Sequence, residues 1–254
     1  MRISICTTNY NCAHALEGHL RSVYDALAGI DFEYVVLDNQ SRDASWEILT
    51  EWASTHRNMK IRSQRCTMGE GRQLAFRESS GDFIMVLDTD VVYSPVLRRF
   101  VDLYFRKSPQ FSVQAVFCGI FPRDQWETAG GRRSLNTNED VDLWLRILEL
   151  GTMKWYPIPT GENMKEPEAW GRADYMSRRY PVHERILRLL RREWDLFKTR
   201  QVARTDIGQV VEQNTIDFGL GIPLAPWPQL RTRTGPIGRV VELGRELKQV
   251  MRSS

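Results

Sequence analysis

Short apolar runs and longer stretches of helical spacing alternate through the first part of the chain. "RISICTT" (2–8), "FEYVVLDN" (32–39) and "DFIMVLD" (82–88) are rich in β-branched and aromatic residues and read as strands. Between the first two, "HALEGHLRSVYDALA" (14–28) sets Ala15, Leu16, Val23 and Leu27 at helical spacing. "SRDASWEILTEWAS" (41–54) opens with cap-type residues and continues with Trp46, Leu49 and Trp52. "MKIRSQ" (59–64) reads as a short strand and "GEGRQLAFRESSG" (69–81) as a short helix with glycines at both ends. A helix over 95–106 starts near Pro95, a position where the missing N–H costs nothing.

This alternation predicts an α/β fold: a mostly parallel sheet with helices on both faces. "YVVL" and "FIMVL" lack polar alternation, as strands buried on both sides do. In such sheets ligands bind beyond the carboxyl ends of the strands. Asn9 to Asn11, Asp38, and Asp88 to Asp90 all fall at such ends, which points to one shared site.

Beyond residue 110 the rhythm changes. "FSVQAVFCGIF" (111–121) is a strand or strand pair, and "PRDQWETAGGRR" (122–133) a short helix stopped by Gly130-Gly131. "NEDVDLWLRILELG" (138–151) is a helix with an acidic start, and "MKWYPIP" (153–159) is strand-like. Residues 160–180 read as an extended loop, 182–200 as a basic helix and 236–251 as a last amphipathic helix. The expected organisation is a main domain over 1–159 and a largely helical, basic C-terminal extension over 160–254.

Composition narrows the class. The chain has 254 residues, 42% hydrophobic and 26% charged, enough to bury a core without staples. No apolar run approaches the ~18–20 residues that cross a bilayer. The N-terminus lacks the apolar stretch of a signal peptide, so the expectation is a cytoplasmic protein. Cys6, Cys12, Cys66 and Cys118 form no CxxC pair; Cys6 and Cys118 read as core residues. His14, His19, His56 and His183 are scattered and read as structural or solvated. The net charge of +3 is uneven: residues 171–204 carry ten Lys and Arg against four Asp and Glu. An anionic membrane surface would attract the 182–200 helix and bury its apolar face; packing on the main domain explains the same pattern. Nucleic acid is not expected.

The chemistry concentrates in "LDTD". Asp88 and Asp90, two residues apart at a strand end, can share one hard divalent cation such as Mg²⁺ or Mn²⁺ with substrate phosphates. A capped turn with solvated carboxylates is the alternative for the tripeptide alone. Asp38 suits hydrogen bonds from a base imide or ribose hydroxyls, or a plain turn. Arg72 suits a phosphate or a pyrimidine edge, or solvent. Glu139 and Asp140 suit either a helix N-terminus or a general base.

Taken together, "ISICTTNYN", "EYVVLDNQSRDAS", "GEGRQLAFRESSGDFIMVLDTDVVY" and "NEDVDLWLRI" resemble, in order, the motifs of family 2 glycosyltransferases over residues 2–151. Thr8-Asn9 replaces the usual Pro-Thr, and Gln73 stands where Asn usually follows the helix Arg. No Gln-x-x-Arg-Trp and no tail of membrane helices follows.

The resemblance implies a GT-A, Rossmann-like fold with a nucleotide-sugar half over about 1–93 and an acceptor half over about 94–159. It implies a nucleoside-diphosphate (UDP- or GDP-) sugar donor, a Mn²⁺ or Mg²⁺ ion at Asp88 and Asp90, and a glycan or lipid-linked acceptor. Thr8, Asn9, Tyr10, Asp38 and Arg72 would contact the donor, with Glu139 beside them. Asp140 would be the general base of an inverting transfer. Trp126 would face the acceptor as an aromatic platform; ordinary packing in the core is the other reading of this residue. A non-catalytic nucleotide-sugar binder and a sugar-phosphate nucleotidyltransferase are the alternatives; the latter normally begins with a Gly-rich phosphate loop, which "TTNYNCAHA" lacks.

Overall fold

The computed structural model describes residues 2–136, 138–164, 181–198 and 207–224. Its centre is a seven-stranded sheet in the order β3-β2-β1-β4-β7-β6-β8. The strands are β1 (Ile3–Asn9), β2 (Phe32–Asp38), β3 (Met59–Ser63), β4 (Phe83–Leu87), β6 (Ser112–Val116), β7 (Cys118–Pro122) and β8 (Met153–Pro159). β1 runs parallel to β2 and β4, β2 to β3, and β6 to β8; β7 alone is antiparallel to its neighbours. A separate antiparallel pair joins β5 (Val91–Tyr93) to β9 (Gly161–Asn163). The loop expected from residue 160 thus begins with a strand. The rest of that loop lies outside the described residues, as does the helix expected over 236–251.

The β4 run "FIMVL" shows why a continuous apolar strand is needed. Met85 and Leu87 enter one core and Ile84 and Val86 the other, so each face of the strand meets a separate layer. The first core takes α1 (Ala13–Ala26), α2 (Ser45–Thr55) and α4 (Val96–Lys107) through Leu16, Leu20, Leu49, Phe100 and Tyr104. The second takes α3 (Met68–Arg77), α5 (Arg123–Thr128) and α6 (Glu139–Glu149) through Phe76, Trp126, Leu143 and Ile147. Two further helices are described, α7 (Val182–Lys198) and α8 (Ile207–Gln213). Among the described residues no helix is long and apolar enough to cross a membrane.

The expected second helix starts at Ser45 rather than at residue 41. The four residues before it are used as a turn. Asp43 accepts hydrogen bonds from the Ala13 N–H at 3.0 Å and the Ser45 N–H at 3.1 Å, so one carboxylate serves the first turns of both α1 and α2.

Connections leave β1 towards β2 on one side and reach β4 on the other. This reversal opens a crevice at the carboxyl ends of β1 and β4, where an α/β sheet binds its ligand.

Candidate active site

Two glycines bring α3 against this crevice. A Cβ at Gly71 would stand 2.1 Å from Thr8 Cγ2 on β1, and one at Gly69 2.1 Å from the Arg133 carbonyl oxygen. Thr67 and Glu70 form a reciprocal capping box that fixes the start of α3. The helix so placed directs Arg72 inward. α6 begins next to it: Asn138, at φ 54°, turns the chain so that Glu139 and Asp140 open the helix beside Arg72.

Arg72 is buried and faces three carboxylates. Its Nη2 donates to Asp88 Oδ1 at 2.7 Å; its Nη1 donates to Glu139 Oε1 at 2.6 Å and Asp140 Oδ1 at 2.9 Å. Arg132, equally buried, pairs through Nη1 with Asp140 Oδ1 at 2.5 Å and lies 3.6 Å from Glu139 Oε1. Burial and the neighbouring carboxylates of Asp90 and Asp140 push Asp88 up to about 6, against the pull of Arg72. Burial, then the Asp140 charge, raises Glu139. For Asp140 burial acts upward too, but Arg132 and Arg72 outweigh it and hold the carboxyl low. The two acids also differ in access: the Glu139 side chain is 3% exposed and that of Asp140 36%. Asp140 is therefore the member of the pair that is open to solvent.

The sequence expected Arg72 to meet the donor. The structure commits its terminal nitrogens to Asp88, Glu139 and Asp140, a buried acid and two part-exposed ones that share this counter-ion inside the protein. Asp38 and Asn9 are likewise drawn inward. Asp38 is fully buried; Oδ1 accepts from Asn9 Nδ2 at 2.8 Å and Ser41 Oγ at 2.6 Å, and Oδ2 from the Ser41 N–H at 2.9 Å. Its carboxylate shapes the loop after β2 and turns no oxygen to solvent. Thr8 and Tyr10, half-buried at the end of β1, border the crevice.

Of the two readings of Trp126, core packing holds and the acceptor platform does not. Its side chain is fully buried, stacked on Phe76 with ring centroids 5.4 Å apart, and offers no platform to an acceptor. α5 packs on the sheet through this one large side chain, which the second core needs for volume. What it supports is the loop behind it. Gln73 Oε1 accepts from Trp126 Nε1 at 3.1 Å and from the Arg132 N–H at 2.7 Å, and the Arg132 guanidinium lies 5.3 Å from the Trp126 ring centroid. Gln73 thus positions Arg132. Neither role was readable from the sequence, since "GGRR" carries no spacing signal that ties it to Asp140.

Asp90 differs from its neighbour. Among the described residues its carboxylate makes no hydrogen bond or ion pair, while Asp88 has one oxygen on Arg72. Two oxygen donors two residues apart at an open strand end fit a hard divalent cation, whose other ligands would be diphosphate and water oxygens. Among the described residues no group of three or more His, Cys, Asp or Glu side chains is placed to hold a metal ion, so protein ligands alone would not complete a shell.

A family model described as "Glycosyl transferase family 2" matches residues 4–164. The chain belongs to that family. A dolichol-phosphate mannosyltransferase of Pyrococcus furiosus is 32% identical over 99 residues, which is 37% of this chain and 27% of the relative. This chain therefore matches little more than a quarter of that protein's length. Among solved structures, the mannosyltransferase PcManGT from Pyrobaculum calidifontis, in complex with GDP-Man and Mn²⁺, superposes with a TM-score of 0.61 at 15% identity, over 99% of this chain and 73% of that one. Glucosyl-3-phosphoglycerate synthase from Mycobacterium tuberculosis, with Mn²⁺, UDP and phosphoglyceric acid, gives 0.51 at 16% identity, over 65% and 72%. At these identities the likeness shows the family's fold, a mostly parallel sheet with helices on both faces.

Proposed function

We propose that the protein transfers a sugar from a nucleoside-diphosphate donor to an acceptor hydroxyl, with a divalent cation held at Asp88 and Asp90. The observation that carries this reading is the arrangement around Arg72. One guanidinium joins Asp88, at the end of β4, to Asp140, at the start of α6, while Asp90 beside them has no partner among the described residues. A cation-binding turn and an accessible carboxylate therefore share one crevice. The membership in glycosyl transferase family 2 agrees with it.

In this reading the nucleoside sits at the ends of β1 and β2 beside Thr8 and Tyr10, in a loop shaped by Asn9 and Asp38. The cation, when bound, offsets charge on the departing diphosphate. The acceptor oxygen bonds to the anomeric carbon as the bond to the diphosphate oxygen breaks, and that electron pair leaves with the diphosphate. The acceptor proton passes to Asp140, which its two arginines keep ionised and ready. A single in-line displacement inverts the anomeric centre. Residues 1–159 form the catalytic unit and 160–254 an extension.

The extension touches membranes in this reading. Leu187, Leu190 and Trp194 are exposed at spacings that place them along one side of α7, within a segment rich in arginine. This supports a peripheral site on an anionic surface and a lipid-linked or glycan acceptor.

The test is a thermal-shift screen of UDP, GDP and their sugars with and without Mn²⁺, followed by an assay for donor hydrolysis. Stabilisation that needs Mn²⁺, together with slow release of sugar, is the expected result. Binding without hydrolysis or transfer would leave a nucleotide-sugar binder; no binding would overturn the reading.

A further inference from the structure

The Asp88–Asp90 turn is held from behind by a set of buried and half-buried polar groups. Tyr93 Oη accepts the Asp88 N–H at 3.1 Å and donates to the Phe117 carbonyl at 2.7 Å. Phe117, at φ 64°, is the residue between β6 and β7. The Tyr93 N–H donates to Ser22 Oγ at 2.9 Å, and that hydroxyl donates to the His19 carbonyl at 2.8 Å. His19 Nδ1 lies 2.8 Å from the Val91 carbonyl and its Nε2 lies 2.5 Å from Tyr34 Oη. A carbonyl can only accept, so Nδ1 carries the proton and Nε2 accepts from Tyr34. Burial, which pushes His19 down to about 4, keeps the ring neutral. On the far side, the Met164 N–H donates to the Asp90 carbonyl at 2.7 Å.

Tyr93 is the centre of this set. It is 5% exposed, and its hydroxyl joins the main chain of the turn to the β6–β7 loop. A phenylalanine would fill the same volume without the cost of desolvating a hydroxyl. The hydroxyl's only hydrogen bonds among the described residues are those that hold Asp88 in place. Tyr104 gives the contrast. It is equally buried, but its Oη donates to the Pro109 and Phe111 carbonyls at 3.3 and 2.9 Å, away from the crevice.

We propose that Tyr93, backed by Ser22 and His19, is a positioning residue for the cation turn: it fixes the main chain at Asp88 so that the carboxylates of Asp88 and Asp90 face one ion. This rests on the cation reading given above. Groups behind metal ligands commonly set affinity by about 10–100-fold when they are removed.

The experiment compares the full chain with Tyr93→Phe, Ser22→Ala and Tyr104→Phe. Bound Mn²⁺ is read from the electron paramagnetic resonance signal of the free ion, with saturating GDP and separately with UDP. Thermal unfolding is measured without metal. Tyr93→Phe is expected to weaken Mn²⁺ binding about 10-fold or more, and Ser22→Ala to weaken it less in the same direction. Tyr104→Phe is expected to lower thermal stability and leave Mn²⁺ affinity unchanged. Unchanged affinity in Tyr93→Phe, or an equal loss in Tyr104→Phe, overturns the positioning role while the cation site stands. If Tyr93→Phe does not fold, Ser22→Ala decides by the same criterion. Failure of the unmodified chain to take up Mn²⁺ with either nucleotide removes the cation reading and this proposal with it.

Discussion

Arg72 Nη2 stands 2.7 Å from Asp88 Oδ1, while the other terminal nitrogen of the same guanidinium stands 2.6 Å from Glu139 and 2.9 Å from Asp140. One side chain on α3 thus binds the end of β4 to the start of α6. It also answers how a carboxylate can end a buried strand. Asp88 is neutralised from within the protein, while the Asp90 carboxylate has no partner among the described residues.

Removing that side chain leaves three acids without their shared partner. Arg72→Ala is expected to cost about 3–5 kcal/mol, the range for breaking a buried ion pair from one side. Urea denaturation at neutral pH measures it. Adding Glu139→Gln to Arg72→Ala should recover part of the loss, because one of the stranded charges is then gone. A double variant no more stable than the single one would show that Arg72 acts through packing alone.

The sheet was legible because its strands are buried on both sides. "YVVL" and "FIMVL" cannot satisfy two cores unless nearly every residue is apolar, and that demand is visible in a single sequence. The acids at the strand ends were legible for the same reason: a charge at the edge of such a run needs an explanation. Side-chain direction was not legible. Asp38 and Asp88 both follow apolar strands, yet Ser41 and Asn9 enclose the first while the second stays part-exposed beside Arg72. Trp126 kept two readings because an aromatic residue before two glycines looks alike in a core or in a cleft. Arg132 and Tyr93 were missed because nothing in local spacing marks the pair of Arg132 with Asp140 or the hydrogen bond from the Asp88 N–H to the Tyr93 hydroxyl.

Asp90 and Asp140 should separate binding from transfer. Asp90→Asn is expected to keep stability within about 0.5 kcal/mol, as for a surface side chain with no partner, and to lose Mn²⁺-dependent stabilisation by nucleoside diphosphates. Asp140→Asn should keep donor binding and lower turnover by about 10²–10⁴-fold, the contribution of a positioned base. Thermal shift reads the first quantity and product formation the second. Full turnover by either variant would remove its assigned role.

Glu33 gives a pH prediction away from the site. Burial acts to raise it, but the Lys60 ammonium at 2.7 Å and hydrogen bonds from Ser80 and Ser4 outweigh burial and hold it at about 2, below its ordinary 4.5. Above pH 4.5 the carboxylate is charged whether the chain is folded or not, and its full stabilisation is present. As the pH falls from 4.5 towards 2 the unfolded chain takes the proton first, so that stabilisation is lost. Glu33→Gln is expected to cost roughly 2 kcal/mol at pH 7, the scale of hydrogen bonds to a charged group. The gap from the unmodified protein should close in denaturation curves run towards pH 2. A gap that is constant with pH would mean that the carboxylate is not held as described.

The stripe on α7 predicts vesicle binding. The protein is expected to sediment with vesicles containing phosphatidylserine, to leave them at high salt, and to ignore pure phosphatidylcholine. Replacing Leu187 and Leu190 with Gln should abolish sedimentation without altering donor binding. Equal binding by that variant would mean that the apolar stripe plays no part.

Gly131 and Gln73 allow strain and contact to be told apart. Gly131 has φ +65°, and a Cβ there would stand 2.3 Å from Gln73 Oε1, the atom that receives the Arg132 N–H. Gly131→Ala therefore meets two penalties at once: a left-handed backbone that a side chain disfavours, and a collision with the amide that positions Arg132. The first is of order 1–3 kcal/mol. Gln73→Ala removes the collision but leaves the backbone as it is. It also removes the acceptor for Arg132 and Trp126, so alone it should destabilise modestly and reduce turnover through a loosened Arg132. In the double variant the collision is absent, and the combined loss should be smaller than the two single losses added together. A double-mutant cycle by urea denaturation measures this coupling. Strict additivity would mean that the loop moves aside freely, and that Gln73 does not set where Arg132 meets Asp140.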